Sequence, residues 1–399
     1  MFSSLGSPPF ALANARKTFR QISPKHTFGQ DCFEEKPFEY IELALFIDLI
    51  LSANRFVEAH LANIKDVAKA AGVSPATVSA VVNDTAYVSP PLRARVLEAV
   101  ESLNYSPMSA ARNLKRGRSQ LIALAVADLQ NPFFSRMVCA AEAAVSAWGY
   151  SLVVFNSDEK PENERTILGR IRSLSCDGVI LVPIGGPERY QQFWRDPAAP
   201  PLVLFGREIG DNRFDAVTLD NVLAGRRATR YLLDLGHRRI GSITGPTFLS
   251  TGAGRLQGLM QAMEERGLKP DPQHVRSGDF REEIAYSVAM EILQRPDRPT
   301  ALYVANGLMA LGTMRAINDL GLRCPEDISI ASTDTLPGVG GLRPRLTRTE
   351  HPMGDMIDQA VRFLMERIGN ENTKIQGRRV TFPPELLLGD SCAGPDAGK

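Results

Sequence analysis

Long apolar runs are missing from this chain. No stretch reaches the roughly 18 residues that a membrane span needs. The nearest, Ile41 to Leu51, is short and carries Glu42 and Asp48. The first residues lack a basic region followed by an apolar run, so no secretory signal is expected. Cysteine is sparse: Cys32, Cys139, Cys176, Cys324 and Cys392 lie far apart, with no C-x-x-C pair and no Cys/His ligand spacing. An odd, scattered set fits a reduced cytoplasm and argues against structural zinc. Excess charge of one sign is also absent. A net charge of +1 gives no global attraction to nucleic acid. The five histidines show no pairing, and no G-x-S-x-G, H-E-x-x-H or Walker loop occurs. No catalytic residue, cofactor or metal is therefore expected. With 44% hydrophobic and 23% charged residues, the chain is neither disordered nor fibrous. Its 399 residues suggest two or three domains.

What is present begins at Asn63-Ile64-Lys65-Asp66 and runs to Asn83. Asn63 is placed to cap a helix at the Asp66 amide, and Asp66 adds negative charge to its first turn. Ser74 is placed to cap a second helix, with Pro75 at the first helical position, where a missing N–H costs nothing. Gly72 between them suits a turn of positive φ. Val67, Ala68, Ala71, Val73, Val78, Val81 and Val82 supply the apolar contacts of the pair. Pro75, Ala76, Thr77, Ser79 and Ala80 remain near the open start of the second helix, the end that enters the major groove in helix-turn-helix motifs. A third helix follows, with Ser89 as cap and Pro90 opening it. Leu92, Val96, Val100 and Leu103 recur along it to close a three-helix core. From Ala62 to Arg118 eight basic residues face four acidic ones, so positive charge is concentrated where phosphates would lie. Arg93 and Arg95 are candidates for backbone contacts or for ordinary solvated surface positions.

The words I-K-D-V-A-K-A-A-G-V-S-P-A-T-V-S-A-V-V-N resemble the headpiece of the lactose-repressor (LacI/GalR) family of bacterial transcription regulators. The resemblance implies a DNA-reading set of Ser74, Pro75, Ala76, Thr77, Ser79, Ala80 and Asn83. Ala80 departs from it, because the family has an arginine there, able to make a bidentate guanine contact. Asn104-Tyr105-Ser106-Pro107 and the following M-S-A-A-R-N-L-K resemble the family's hinge helix. By that resemblance Leu114 wedges between base steps in the minor groove and Lys115 lies beside phosphates. Met108 replaces the family's asparagine. Eight residues do not hold a helix alone in water, so the hinge is expected to order only with DNA and a dimer mate.

From Ser119 short apolar strands alternate with helices. Strands are predicted at Leu121–Ala127, Ser151–Asn156, Gly178–Pro183 and Pro201–Phe205, with helices Phe133–Trp148 and Glu162–Leu174 between them. A second set comprises strands at Ala216–Leu219, Arg239–Thr244, Val275–Gly278, Ala301–Ala305 and Ile328–Ser332. Its helices are Leu223–Leu235, Gly254–Arg266, Glu282–Leu293 and Leu308–Leu320. Two such lobes resemble periplasmic sugar-binding proteins and the family's effector domain, which implies crossovers near Asp220, Arg348 and Thr381. The fold class expected is a small all-α helix-turn-helix headpiece plus a two-lobed, periplasmic-binding-protein-like α/β effector domain. Residues 1–61 are read as an extension, either disordered or the product of a misassigned start. The headpiece is 62–105 and the hinge and linker 106–118. The effector domain is 119–399, with lobe 1 at about 119–219 and 349–380 and lobe 2 at about 220–348 and 381–399.

The resemblance implies effector-binding residues in a cleft between the lobes: Phe133 and Phe134 of N-P-F-F, Thr251 and Arg255 of T-G-A-G-R, Asn306 and Asp334. T-G-A-G-R is similar to purine repressors, which leaves corepression open beside induction. The family's first-lobe aspartate falls at Gly206, with Arg207 next. Arg207 beside Arg255 suggests an acidic ligand, such as a sugar acid or a phosphorylated sugar. Gly252, Gly254 and Gly258 also allow a dinucleotide reading, which is rejected because the word lies deep in the chain. The expectation is a cytoplasmic, homodimeric transcriptional regulator, most simply a repressor. It binds double-stranded operator DNA and answers to a sugar or sugar derivative, with no membrane partner. The alternatives are a sensor that has lost operator binding and, further off, a nucleotide-dependent enzyme.

Overall fold

A computed structural model describes residues 62–105, 118–196, 198–334, 343–370 and 376–395. The extension before Ala62 and the hinge, with Leu114 and Lys115, lie outside the described residues. The chain divides into two compact units, residues 62–105 in the first and 118–395 in the second.

The first unit is three helices, α1 (Ile64–Ala71), α2 (Pro75–Asn83) and α3 (Pro90–Ser102). Asn63 Oδ1 accepts from the amides of Lys65 (2.9 Å) and Asp66 (3.3 Å), and Asp66 accepts from the Asn63 amide at 2.9 Å. This reciprocal capping box satisfies donors that the first turn would otherwise leave free. Gly72 ends α1 at φ 62°. Val67, Ala68, Ala71, Val78, Val81, Val96 and Ala99 form the core. Two expectations fail at α3. Ser89 precedes the helix but its hydroxyl makes no capping bond; only its carbonyl receives the Leu92 and Arg93 amides. Leu103 lies beyond the last turn and is exposed, while Ala99 takes the core place one turn back.

The second unit contains two six-stranded sheets. The first half of the chain gives β1 (Leu121–Val126), α4 (Pro132–Ser146), β2 (Ser151–Asn156), α5 (Pro161–Ser173), β3 (Gly178–Leu181), α6 (Gln191–Arg195), β4 (Leu202–Phe205) and β5 (Asp215–Leu219). Then follow α7 (Asn221–Asp234), β6 (Ile240–Thr244), α8 (Ser250–Glu264), β7 (Val275–Ser277), α9 (Glu282–Leu293), β8 (Ala301–Val304), α10 (Gly307–Asp319) and β9 (Ser329–Thr333). The last elements are β10 (Thr347–Glu350), α11 (Met353–Gly369), β11 (Arg379–Phe382) and β12 (Glu385–Leu387). The sheet orders are β11-β5-β4-β3-β1-β2 and β12-β10-β9-β8-β6-β7. Neighbours run parallel except β10 with β12. The chain leaves the first sheet after β5, returns to its lobe with α11, and passes from β11 to β12 near 383–384.

Both faces of each sheet are buried, as parallel sheets require. Ile122, Leu124 and Val126 of β1 pack with α4 and α11, while Ala123 and Ala125 face Ile167, Leu168 and Ile171 of α5. In the second lobe Leu302 and Val304 face α9 and α10, whereas Ala301 and Tyr303 face α7 and α8. The period-2 alternation of a strand thus assigns each side chain to one helical layer.

Helix α8 begins at Ser250, four residues before the expected Gly254. Its glycines are packing residues. A Cβ at Gly258 would lie 2.0 Å from the Val222 carbonyl, and one at Gly254 would lie 2.9 Å from the Asn221 Cβ. Gly225 answers from α7, where a Cβ would meet the Arg255 carbonyl at 2.1 Å. Gly254 and Gly258 therefore serve close approach of α7 and α8, while Gly252 packs on the Pro246 carbonyl. The elements after β9, and α6, were not among those expected.

Candidate functional site

Two places bring the expected functional residues together. In the headpiece, Ser74, Pro75 and Ala76 are exposed at the start of α2, while Thr77, Ser79, Ala80 and Asn83 are half-buried. Ser74 Oγ accepts from the Thr77 amide at 3.1 Å and lies 2.9 Å from the Thr77 hydroxyl. Asn83 Nδ2 donates to the carbonyl of Ser79 at 2.9 Å and to its hydroxyl at 3.2 Å. Much of the polar set expected to read bases is therefore tied within the helix. Arg95 donates to the Ala71 carbonyl at 2.5 Å, and Arg93 pairs with Asp84. Both arginines hold the headpiece together, where the sequence had left them open as backbone contacts. Lys65 and Lys69 are exposed.

The second place is the cleft between the lobes, at the carboxyl ends of the strands, where open α/β sheets bind ligands. The loop after β1 brings Asp128 and Asn131; the start of α4 brings Phe133 and Phe134. The turn after β2 brings Glu159, and that after β4 brings Gly206 and Arg207. From the second lobe come Thr251 and Arg255 of α8, Phe280 and Arg281 after β7, Asn306 after β8, Asp334 after β9 and His351 after β10. The void between them, open mouth included, measures about 580 Å³.

All seven expected effector residues line this cleft, but their electrostatics differ from expectation. Arg207 is buried, and its guanidinium donates to both oxygens of Glu159, at 2.8 and 2.5 Å, and to the Pro183 carbonyl at 3.3 Å. Arg255, also buried, donates to Asn221 Oδ1 at 3.0 Å and to the Ala305 carbonyl at 2.5 Å. Its Nη1 lies 3.7 Å from Asp334. Asp334 pairs with His351 as well. Burial pushes the Asp334 carboxyl up, but the charges of His351 and Arg255 outweigh it and hold the group below its ordinary value. Arg281 of the second lobe reaches across to Asp128 (3.0 Å) and Asp158 (3.1 Å). Each cleft arginine thus already faces a carboxylate of the protein.

Other groups of the cleft carry no ion pair. The Thr251 hydroxyl is buried and has no hydrogen-bond partner. The Phe133 ring stands edge-on to Phe134, 5.1 Å between centroids, and 5.0 Å from the His351 ring. Phe134 belongs largely to the core of the first lobe. Asn306 accepts from the Met309 amide at 2.8 Å as cap of α10, which fixes its side chain at the cleft wall.

Asp128, Glu159, Phe280, Arg281 and His351 were not anticipated. Asp128 had a signal, its place at the end of β1. His351 had none, because β10 was not anticipated. His237 bridges Thr300 (2.9 Å) and the Ala393 carbonyl (2.8 Å) in the second lobe. No described helix is long and apolar enough to cross a membrane.

Comparison with known proteins finds matches in both units. Residues 63–108 match the bacterial regulatory proteins of the lacI family, and residues 229–392 match a periplasmic binding protein-like domain. The HTH-type transcriptional repressor PurR of Edwardsiella ictaluri is 34% identical over 337 residues, covering 84% of this chain and 98% of that one. PurR of Proteus mirabilis is 35% identical over 339 residues, with the same coverage. Among solved structures, the lac repressor dimer bound to operator and the anti-inducer ONPF is 26% identical with a TM-score of 0.71, covering 83% of this chain and 99% of that one. A complex of the transcriptional regulator CelR with cellobiose is 28% identical with a TM-score of 0.61, at the same coverage. These relatives are repressors and regulators rather than enzymes. With a capped helix-turn-helix in one unit and a two-lobed cleft in the other, the chain belongs to the lacI family of bacterial regulatory proteins and is a DNA-binding transcriptional regulator.

Proposed function

We propose that this protein is a repressor that binds a pseudo-palindromic operator as a homodimer, each α2 entering a major groove, and that a small neutral ligand in the interlobe cleft sets its DNA affinity. DNA contact falls to the exposed Ser74, Pro75 and Ala76, to Thr77, Ser79, Ala80 and Asn83 beside them, and to Leu114 and Lys115 of the hinge. With few free base-edge donors on α2, the deformability of the operator carries much of its sequence preference. Coupling between the ligand and DNA sites is typically about 1–3 kcal/mol in such regulators.

The observation that carries the ligand class is the pairing of Arg207 with Glu159, Arg255 with Asp334 and Arg281 with Asp128. A charged ligand would meet a cleft whose counter-charges are occupied. A sugar or sugar derivative offers hydroxyls to Thr251, Asn306 and the Asp334 carboxylate, and an apolar ring face to Phe133. That polar-plus-aromatic lining is how small-molecule sites fix orientation. A planar base is the second reading, favoured by Phe133 and Phe280 on the same cleft and by the T-G-A-G-R word. Calorimetry with neutral sugars, sugar acids and purines decides the class; saturable binding of sugar acids alone would overturn the neutral-ligand reading. A salt-dependent gel shift on DNA flanking the protein's own coding sequence tests the repressor. Failure of any site to outcompete random DNA, with or without ligand, would leave only the sensor.

A further inference from the structure

Outside the cleft, the second lobe holds a cluster of ligating side chains that the regulatory function does not use. Asp271 caps a short 3₁₀ turn, Pro272–His274, that leads into the edge strand β7. Asp297 lies in the loop between α9 and β8. One ligand atom each from Asp271, His274 and Asp297 falls within 4.8 Å of the others, the one such group among the described residues. Exposed carboxylates alone would mean little, since they are commonly solvated without a cation. His274 differs. It is buried to 4% exposure, and its Nε2 has no hydrogen-bond partner. That nitrogen points toward Asp297, 3.8 Å from Oδ1, too far for a hydrogen bond.

Burial of an unpaired imidazole nitrogen is costly unless something completes it. The backbone is shaped to hold the ring there. Gly241 of β6 lies against it, and a Cβ at that position would come within 2.9 Å of the His274 carbonyl and 3.2 Å of its Cβ. We propose that Asp271, His274 and Asp297 form a binding site for a divalent transition cation such as Zn²⁺, with one imidazole nitrogen, two carboxylate oxygens and an open fourth position. That donor set suits zinc-like ions; magnesium and calcium prefer all-oxygen shells. Arg295 Nε donates to that same Oδ1 at 3.1 Å, so a cation would share the Asp297 carboxylate with this guanidinium. Asp271 gives one oxygen to the Gln273 amide at 2.8 Å and has the other to offer. A bound ion would tie the turn before β7 to the loop before β8 at the edge of the second sheet.

The test uses the full chain, stripped with chelator and titrated with Zn²⁺ by calorimetry. One saturable event per chain is expected, lost in Asp297→Asn and weakened in Asp271→Asn. Both carboxylates are exposed, so these variants keep the fold, and circular dichroism checks it. The melting temperature should rise with Zn²⁺ in the parent and not in Asp297→Asn, because an ion that binds only the folded state stabilises it by mass action. His274→Gln, if folded, should behave like Asp297→Asn. No heat beyond dilution overturns the proposal. So does an event undiminished in both carboxylate variants, or one that disappears only in Cys139→Ser and therefore belongs to the exposed thiol.

Discussion

At the scale of single residues, the cleft shows that a charge counts only after its partner is named. Arg207 and Arg255 stand in the sequence as two unassigned cations, yet the fold brings Glu159 to one and Asp334 to the other. Those carboxylates are 48 and 79 positions away, beyond any motif. Glu159→Gln should expose the Arg207 guanidinium to the cleft and confer binding of sugar acids absent from the parent, by calorimetry. Unchanged selectivity would show that Arg207 does not face the ligand. Asp215 illustrates the same point in the core. Burial pushes its carboxyl up, but hydrogen bonds from Arg367 and Arg378 win and hold it at about 2. The folded value lies below the unfolded value of about 3.9, so the group's contribution is complete above that value and is lost as pH falls through about 2. Asp215→Asn takes the buried carboxylate away from Arg367 and Arg378, although Arg378 keeps Glu366, and should cost about 3 kcal/mol in urea unfolding at neutral pH, with a flatter acid limb than the parent. A loss below 1 kcal/mol would contradict a structural role for this triad.

Among the elements, most caps and turns were legible and the stretch after β9 was not. Asn63, Gly72, Ser74 and Pro75 act locally, so their chemistry could be read three residues at a time. Gly72 is a sharp case: its φ of 62° and the Arg95 guanidinium, 2.8 Å from any added Cβ, both oppose a side chain. Gly72→Ala should destabilise the headpiece by about 1–2 kcal/mol in thermal unfolding; a neutral effect would mean that α1 does not end as described. Helix α11 carries Met353, Met356, Ile357, Ala360 and Leu364 at helical spacing and was legible in principle. By contrast, β10 (T-R-T-E) has no apolar run to mark it, and β12 is only three residues long. They exist because β9 offers an edge to β10, and β10 in turn to β12, which is a tertiary fact. The α8 glycines misled for a similar reason, because glycine signals a loop unless its neighbour across the interface is known. Gly258→Ala should cost about 1–3 kcal/mol by forcing α7 and α8 apart; an unchanged melting temperature would refute that close approach.

On the scale of the whole effector unit, the two lobes are held across the cleft by Arg281 to Asp128 and Asp158, by Arg136 to Glu350, and by Ser250, whose hydroxyl accepts the Glu208 amide. These contacts describe a closed cleft. Arg281→Ala should raise the radius of gyration of the ligand-free protein in small-angle scattering and weaken ligand binding about five-fold, the equivalent of roughly 1 kcal/mol for a partly exposed ion pair. No change in scattering would mean that the other cross-cleft contacts suffice. The lobes are also joined covalently at three places, near Asp220, at His351-Pro352 and near 383–384. A single tether would let the lobes swivel freely, and two would still allow twisting about the line between them. Three strands that must flex together leave in essence one coordinate, opening and closing about a shared axis. A ligand that closes the cleft therefore sends one mechanical message and cannot scramble it, and stiffening any one crossing, for example with proline at 383 already in place, stiffens the message as a whole.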